Sequence, residues 1–488
     1  MAVEFELHSD SINGGPLTYD LWDGDYEIIE KMWTPANPWP EGDFRHVEFG
    51  AQVSFSHYTP HSESFSIVTK DTEANVHGIQ TALEAFFNKA LRSNVDPSRP
   101  DYTWLKVKTD DESEKRSLIY RAMCAFPPRN GANFFLDGAP SAVLVAAMSL
   151  DRHPFWESYY EDVPDDLPTV SGGAGADAIG TSFTYTNVPG TARARLAYSI
   201  FGTNSTTALT RAWIGIREEY AGTASFNARH ECENAALASG ALYSGAIVQA
   251  DATASSGNKV EVPFNVLATF GIRFDTRFGD IGLVYSQHMI GRYSVLMRAK
   301  VTAGATVRAQ LRYGSSVAAG STRLQPSQDV YISDSAWHLY ELGEIQIPEY
   351  GTFPEIGAYG IESSYFRMQM WAEHITGTAA TDKFDCDTFI FIPSDHMIRI
   401  DNTAIEQGAY VDDLLAIYTR PDDTLLAVTL EGASVPAQYG DFSPRTWYLP
   451  EGDGVVVMAA QRAAGSVLGD TITGTMSYVP RWMSYRDT

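Results

Sequence analysis

Residues 230–235 read HECENA, placing Glu231 and Glu233 either side of Cys232 and just after His230. Three chemistries fit: an acid/base pair, a set of metal ligands, or plain surface charge on a strand. On a strand, residues two apart point to one face. Two carboxylates converging there repel unless a cation joins them, and a hard cation such as calcium takes carboxylate oxygens. An acid/base pair needs burial or charged neighbours to tune its pKa. Cys232 would then point the other way, toward a core, where free cysteine packs as a small hydrophobe.

The familiar enzymatic patterns are absent. The sequence holds no GxxxxGK[ST], GxSxG, HExxH or paired CxxC, and its 11 histidines are scattered. The pairs Asp110/Asp111, Asp165/Asp166, Asp412/Asp413 and Asp422/Asp423 sit in polar, turn-like stretches, where solvated loops are the simpler reading. Glycoside hydrolysis needs only two carboxylates and no short motif, so a carbohydrate-active enzyme stays open as an alternative.

The chain that must position these residues has 488 of them, enough for two to four domains at roughly 100–200 each. Its 61 acidic against 35 basic residues leave a net charge of −26. That argues against a phosphate-backbone binder, which needs a basic stripe to displace counterions, so no nucleic-acid partner is expected, and it leaves room for calcium. Three cysteines are too few for a disulfide framework. MAVEFELHSD has neither the basic start nor the apolar run of a secretion signal, and no stretch approaches the roughly 20 apolar residues of a membrane span. Synthesis in a reducing compartment without signal-directed export is the expectation.

Periodicity predicts one helix, over 71–94, where Val76, Ile79, Leu83, Phe86, Phe87, Ala90 and Leu91 recur every three or four residues. Elsewhere strands dominate. Tyr293, Val295, Met297, Ala299 and Val301 alternate with polar residues as in a half-buried strand. Runs 388–393 (TFIFIP) and 454–461 (GVVVMAAQ) suit strands buried on both faces. The proline-, acid- and glycine-rich stretch 151–180 reads as a linker.

The order of pieces around HECENA resembles the carbohydrate-binding β-sandwich modules. Their first strand reads EAE, followed by an ASGG turn, an aGxYxlxxR strand and a final xlDxixl strand. The counterparts are Glu231-Cys232-Glu233, Ala254-Ser255-Ser256-Gly257, Gly291-Arg292-Tyr293 with Arg298, and Asp385-Cys386-Asp387. The resemblance implies that first and last strands lie side by side and that Glu231, Glu233 and Asp387, with Asp385 as a fourth candidate, hold a structural Ca2+. It also brings Cys232 and Cys386 near enough for a bridge to be considered. The modules usually carry a sugar-stacking aromatic and an asparagine in end loops. The loop 376–385 has neither asparagine nor tryptophan, leaving Trp337, Tyr340, Tyr365 and Trp371 as candidate ligand-binding aromatics that could equally be core.

The flanks carry a second resemblance. Strands at 65–70, 104–108 and 117–123, the helix, and an apolar strand running into Pro154-Phe155-Trp156 resemble the belt domain of distal tail and minor tail proteins of long-tailed bacteriophages. Pro480-Arg481-Trp482 echoes the Pro154-Phe155-Trp156 region. The expected fold is mainly β. A split-barrel belt with one helix spans 1–166, a discontinuous galectin-like sandwich 167–225 plus 396–488, and an inserted jelly roll 226–395. The implied function is a virion structural protein at the tail tip. It would form a homo-oligomeric ring, hexamer or trimer, bind tail-tube and tip or hub proteins, and present a module to host-surface glycans. A polysaccharide depolymerase with an accessory binding module is the alternative.

Overall fold

Alternating and continuous apolar runs separated by turn residues should give antiparallel sheets, and the computed structural model of the chain is built almost wholly of them. It describes residues 4–9, 17–20, 27–28, 40–47, 50–58, 60–71, 81, 85–86, 102–108, 114–125, 142–158, 169–173, 180–203, 209–218, 228–233, 241–243, 245–278, 291–317, 324–347, 364–401, 415–419, 425–429, 434–435, 440–441, 448–450, 452–462 and 471–484. The expected helix 71–94 lies outside these, save that Asp71 ends a strand and that Thr81, Ala85 and Phe86 are helical. Among the described residues no helix is long and apolar enough to cross a membrane.

Two compact units form. The first comprises Met1–Leu167, Pro189–Arg195 and Val479–Thr488. Glu4–Ser9 pairs with Thr103–Lys108, which pairs with Glu114–Ala125; Ala142–Arg152 then joins Glu114–Ala125 to His61–Asp71. Leu7, Trp104, Leu105, Val107, Leu118, Ile119 and Leu150 are buried in it. The stretch predicted as linker begins instead with a strand, Trp156–Ser158, hydrogen-bonded between Glu114–Ala125 and the strand Thr471–Trp482. Trp156 stands opposite Trp482 and Glu157 opposite Arg481, so the two similar tripeptides meet at their tryptophans. Charge locks that pairing. Glu157 is buried and accepts from Arg481 Nη2 at 2.8 Å and Arg195 Nε at 3.1 Å. Burial alone would raise its pKa, but Arg195, Arg481 and Arg116 overcome that and hold it at about 2.

The second unit comprises Pro168–Val188 and Leu196–Tyr478. One of its sheets runs Gly180–Val188, Gly452–Arg462, Leu209–Glu218, His396–Asp401 and Gly440–Asp441. Because Leu209–Glu218 and His396–Asp401 are hydrogen-bonded neighbours, with Ile216 opposite His396, the intervening residues leave and return at adjacent points. Those residues form two more sheets. The first runs Ile247–Ala250, Asn258–Pro263, Lys383–Pro393, Gly291–Val301 and His338–Ile347, with Arg229–Glu231 also on Lys383–Pro393. The second runs Ala241–Leu242, Gly271–Phe278, Ser364–Thr376, Thr306–Val317 and Gln325–Pro326, with Val330–Ile332 on Thr306–Val317.

A single buried cluster joins these layers. It contains Phe274, Val295, Met297, Val307, Leu311, Met370 and Phe389 from the inserted sheets, and Trp213, Val455, Val457 and Ala459 from the sheet they leave. Gly215 sits at that junction, where a Cβ would overlap the Pro393 carbonyl and lie 2.7 Å from Ile392 Cγ2. The runs 454–461 and 388–393 are accordingly buried on both faces. Gly291–Val301 corrects the half-buried expectation, because Ser294 and Arg298 are buried along with the apolar residues. Their polar groups are not facing water but paired, Ser294 with Glu341 and Arg298 with Asp387.

Candidate functional site

The acids of HECENA meet the strand Lys383–Pro393 at a bulge. Met297 pairs with Phe389 and Ala299 with Cys386, so Asp387 and Thr388 together face Arg298. That turns Arg298 inward onto Asp387, both side chains fully buried. Across the sheet, Glu231 pairs with Thr388, and the Cys232 amide donates to the Asp387 carbonyl at 2.8 Å. The loop Asp251–Gly257 closes over the group. Asp251 accepts from Thr253 N at 2.9 Å and its own amide donates to Gly257 O, which Gly257 allows by taking φ +82°.

Asp387 is saturated by protein donors. It accepts from Ser255 N at 3.0 and 3.1 Å, from Ser255 Oγ at 2.9 Å and from Arg298. Ser255 Oγ also lies 2.6 Å from Glu231 Oε2. One hydroxyl has one proton, so it can donate to one carboxylate only, and the other contact needs a proton from the acid. Glu231 is that acid. Burial, aided by Asp387 and Glu233, pushes its pKa up to about 7 against the pull of Ser255 and Arg229. Glu231 Oε1 makes no hydrogen bond, although Arg229 Nε approaches to 2.8 Å. Glu233 contacts Ser256 Oγ, leaves Oε2 without a hydrogen bond, and has its pKa raised chiefly by burial.

The structure thus brings Glu231, Glu233 and Asp387 together and leaves Asp385 out. Asp385 is held by Lys259 Nζ at 2.6 Å, in a network with Asp251, Glu261 and Lys300. As arranged, the acids do not offer calcium the six to eight oxygens it takes. Asp387 is committed to Arg298 and Ser255, and among the described residues no group of three or more His, Cys, Asp or Glu could hold a metal ion. Positive charge comes from Arg298 at Asp387 and from Arg229 at Glu231, while burial favours the neutral, protonated form of Glu231. Arg298 was visible in the sequence only as part of a motif. Its pairing depends on the bulge, which periodicity does not reveal.

Cys232 and Cys386 are both buried and unbridged, Cys386 Sγ lying 3.9 Å from Met297 Sδ. Burial pushes both thiols well above their ordinary pKa. The candidate aromatics do not form one platform. Trp337 is buried under the acid cluster, with Arg298 and Lys300 at 4.8 and 4.1 Å from its ring and its Nε1 donating to Thr253 Oγ1 at 2.9 Å. Tyr340 donates to Asp334 Oδ2 at 2.6 Å and packs against the core. The Tyr365 side chain lies outside the described residues. Trp371 stands half-buried on the other sheet, facing away from the core.

That outer face is the feature missed in the sequence. Its signal was present: in 306–313 (TVRAQLRY), Arg308, Gln310 and Arg312 alternate with the buried Val307, Ala309 and Leu311. Exposed Tyr331 lies opposite Arg308, which lies opposite Glu373, while Gln310 faces Trp371 and Arg312 faces Gln369.

No protein-family model matches the chain, and no curated protein does. Among solved structures it is similar to the SPP1 Dit (gp 19.1) protein, described as a paradigm of the hub adsorption apparatus in Gram-positive infecting phages. That match has 11% identity and a TM-score of 0.25, over 44% of this chain and 70% of the other. It is also similar to a chain of the phage P2 baseplate in its activated conformation with Ca, at 9% identity and a TM-score of 0.23, over 80% and 98%. A chain of infectious bursal disease virus, Gx strain, follows at 8% identity and a TM-score of 0.18, over 65% and 82%. With TM-scores this low, the functional reading stands on the residues of this chain.

Proposed function

We propose that this chain is a structural protein of the tail tip of a long-tailed bacteriophage. Its first unit forms a homo-oligomeric ring, a hexamer or trimer, that joins the tail tube to tip or hub proteins. The inserted sheets are displayed from the second unit toward host-surface glycans. The observation that carries this reading is the manner of insertion. Residues between Glu218 and His396 leave and return through neighbouring strands and share a core with the sheet that bears them, so they are presented rigidly and not on a tether. The layout of 1–166, ending in Pro154-Phe155-Trp156, supports the ring assignment.

The test is assembly. Light scattering after size exclusion and electron microscopy of the full chain, alone and with its tail proteins, should give a closed ring with 1–166 around its axis. A stable monomer that releases reducing sugar from polysaccharide would overturn the structural reading in favour of the enzymatic one. In that case Glu231, a carboxyl poised near pH 7 beside Asp387, is the first residue to substitute.

A further inference from the structure

The outer face of the sheet bearing Trp371 has the makings of a binding site. Tyr331, with 59% of its surface exposed, lies opposite Arg308 of the neighbouring strand. Trp371 stands half-buried two strands from Tyr331 and two residues further along, about 12 Å at ordinary strand spacing and rise. Between them lies a set of planar polar groups fixed by one another, with the centroid of the Phe270 ring 4.3 Å from the Arg308 guanidinium carbon. Arg308 Nη1 donates to Glu373 Oε1 at 2.9 Å, and its Nε is paired with Asp329 Oδ2 at 3.2 Å. Gln310 Nε2 donates to Asp329 Oδ1 at 2.9 Å. Trp371 is steadied by Arg312, stacked 3.8 Å from its ring centroid, and by Phe270 at 5.7 Å.

We propose that this face binds a neutral pyranose chain, one sugar ring lying on Tyr331 and a second toward Trp371. A pyranose presents C–H-rich faces, which stack on aromatic rings, and an equatorial rim of hydroxyls that both donate and accept. Asp329 and Glu373 accept, Arg308 donates, and Gln310 does both, each held at fixed geometry before the ligand arrives. Charge selects against anionic polymers. The face sets two arginines, Arg308 and Arg312, against two acids, Asp329 and Glu373, and the whole chain carries −26, so a uronate or phosphate polymer meets no net positive field. The site lies on the sheet face, away from the 376–385 loop, and its occupant rests on the reading of the inserted sheets as the glycan-facing part.

The test is affinity electrophoresis and calorimetry of the full chain against neutral glucan, galactan, mannan and rhamnan, with polygalacturonate as the charged comparison. At least one neutral polysaccharide should bind, with an affinity unchanged between about 0.05 and 0.5 M salt, where screening would abolish surface charge effects. Tyr331→Ala, at an exposed position that leaves the core intact, should lower that affinity at least tenfold, and Gln310→Ala should lower it several-fold. Tyr340→Phe, on the other sheet, should leave it unchanged. Binding to none of the neutral polymers, binding only to polygalacturonate and only at low salt, or binding indifferent to Tyr331→Ala would each overturn the proposal. A chain that closes rings but binds no neutral polymer overturns this site alone. A monomer that binds through Tyr331 overturns the ring and keeps the site.

Discussion

Glu231→Gln is the sharpest perturbation of the acid cluster. In the folded chain Glu231 keeps its proton to about pH 7, against its ordinary 4.5. Between those values the folded state binds the proton and the unfolded state does not, so stability present below pH 4.5 is lost as pH rises through 7. A difference of about 2.5 units at 1.36 kcal/mol each gives about 3 kcal/mol. His230 works the other way, because burial pulls its pKa down to about 4, and its contribution grows between there and its ordinary 6.5. These two contributions nearly cancel from pH 4.5 to 6.5, and Glu233, whose pKa burial also raises, adds to the wild-type profile, so only the difference between wild type and Glu231→Gln isolates the glutamate. The amide keeps the shape of the protonated acid and can donate to Ser255 Oγ as it does. The variant should match wild type near pH 4.5 and exceed it by about 3 kcal/mol at pH 8, on the order of 5 °C in Tm. Denaturation followed by tryptophan fluorescence at pH 4.5, 6, 7 and 8 measures this, with calcium and with chelator at pH 8. Parallel wild-type and variant curves across the range would refute the shared-proton account of the cluster. Calcium that raised the wild-type Tm at pH 8 but not that of the variant would show that a cation, not Arg298 and a proton, completes it.

Other substitutions probe what holds the site in place. Gly215→Ala drives a methyl into Pro393 and Ile392 and should cost roughly 1–3 kcal/mol as an overpacked junction, read by denaturant melting of the second unit. Glu157→Gln leaves Arg481 and Arg195 without their buried counter-charge and should cost roughly 3–5 kcal/mol. Limited proteolysis should then cut near 479–484 in the variant before it cuts the wild type. Because Glu157 holds its charge down to about pH 2, its contribution is present above pH 4.5 and fades only as acid approaches that value. An acid titration of wild type against Glu157→Gln should converge below about pH 2.

Much of this molecule is legible along the chain, since strand burial is a local, period-two property. The runs 388–393 and 454–461 predict strands buried on both faces, and the folded chain has them. Adjacency in HECENA likewise places Glu231 and Glu233 near one another, and the order of motifs points to the strand Lys383–Pro393 as their partner, although the register sets Arg229–Glu231 opposite Thr388–Ile390 and not opposite 385–387. Tertiary structure decided the rest, because it depends on which strand lies beside which and in what register. One extra residue at Asp387 and Thr388 turns Arg298 onto the acids, while Asp385, two residues away, goes to Lys259. Trp156–Ser158 reads as linker because its partners, Arg116, Arg195 and Arg481, are distant in sequence, and the cation–carboxylate lock exists only once they meet. The HECENA residues alone specify that negative charge accumulates. Whether a metal, an arginine or a proton answers it is set by the neighbouring strand, whose identity no local pattern contains.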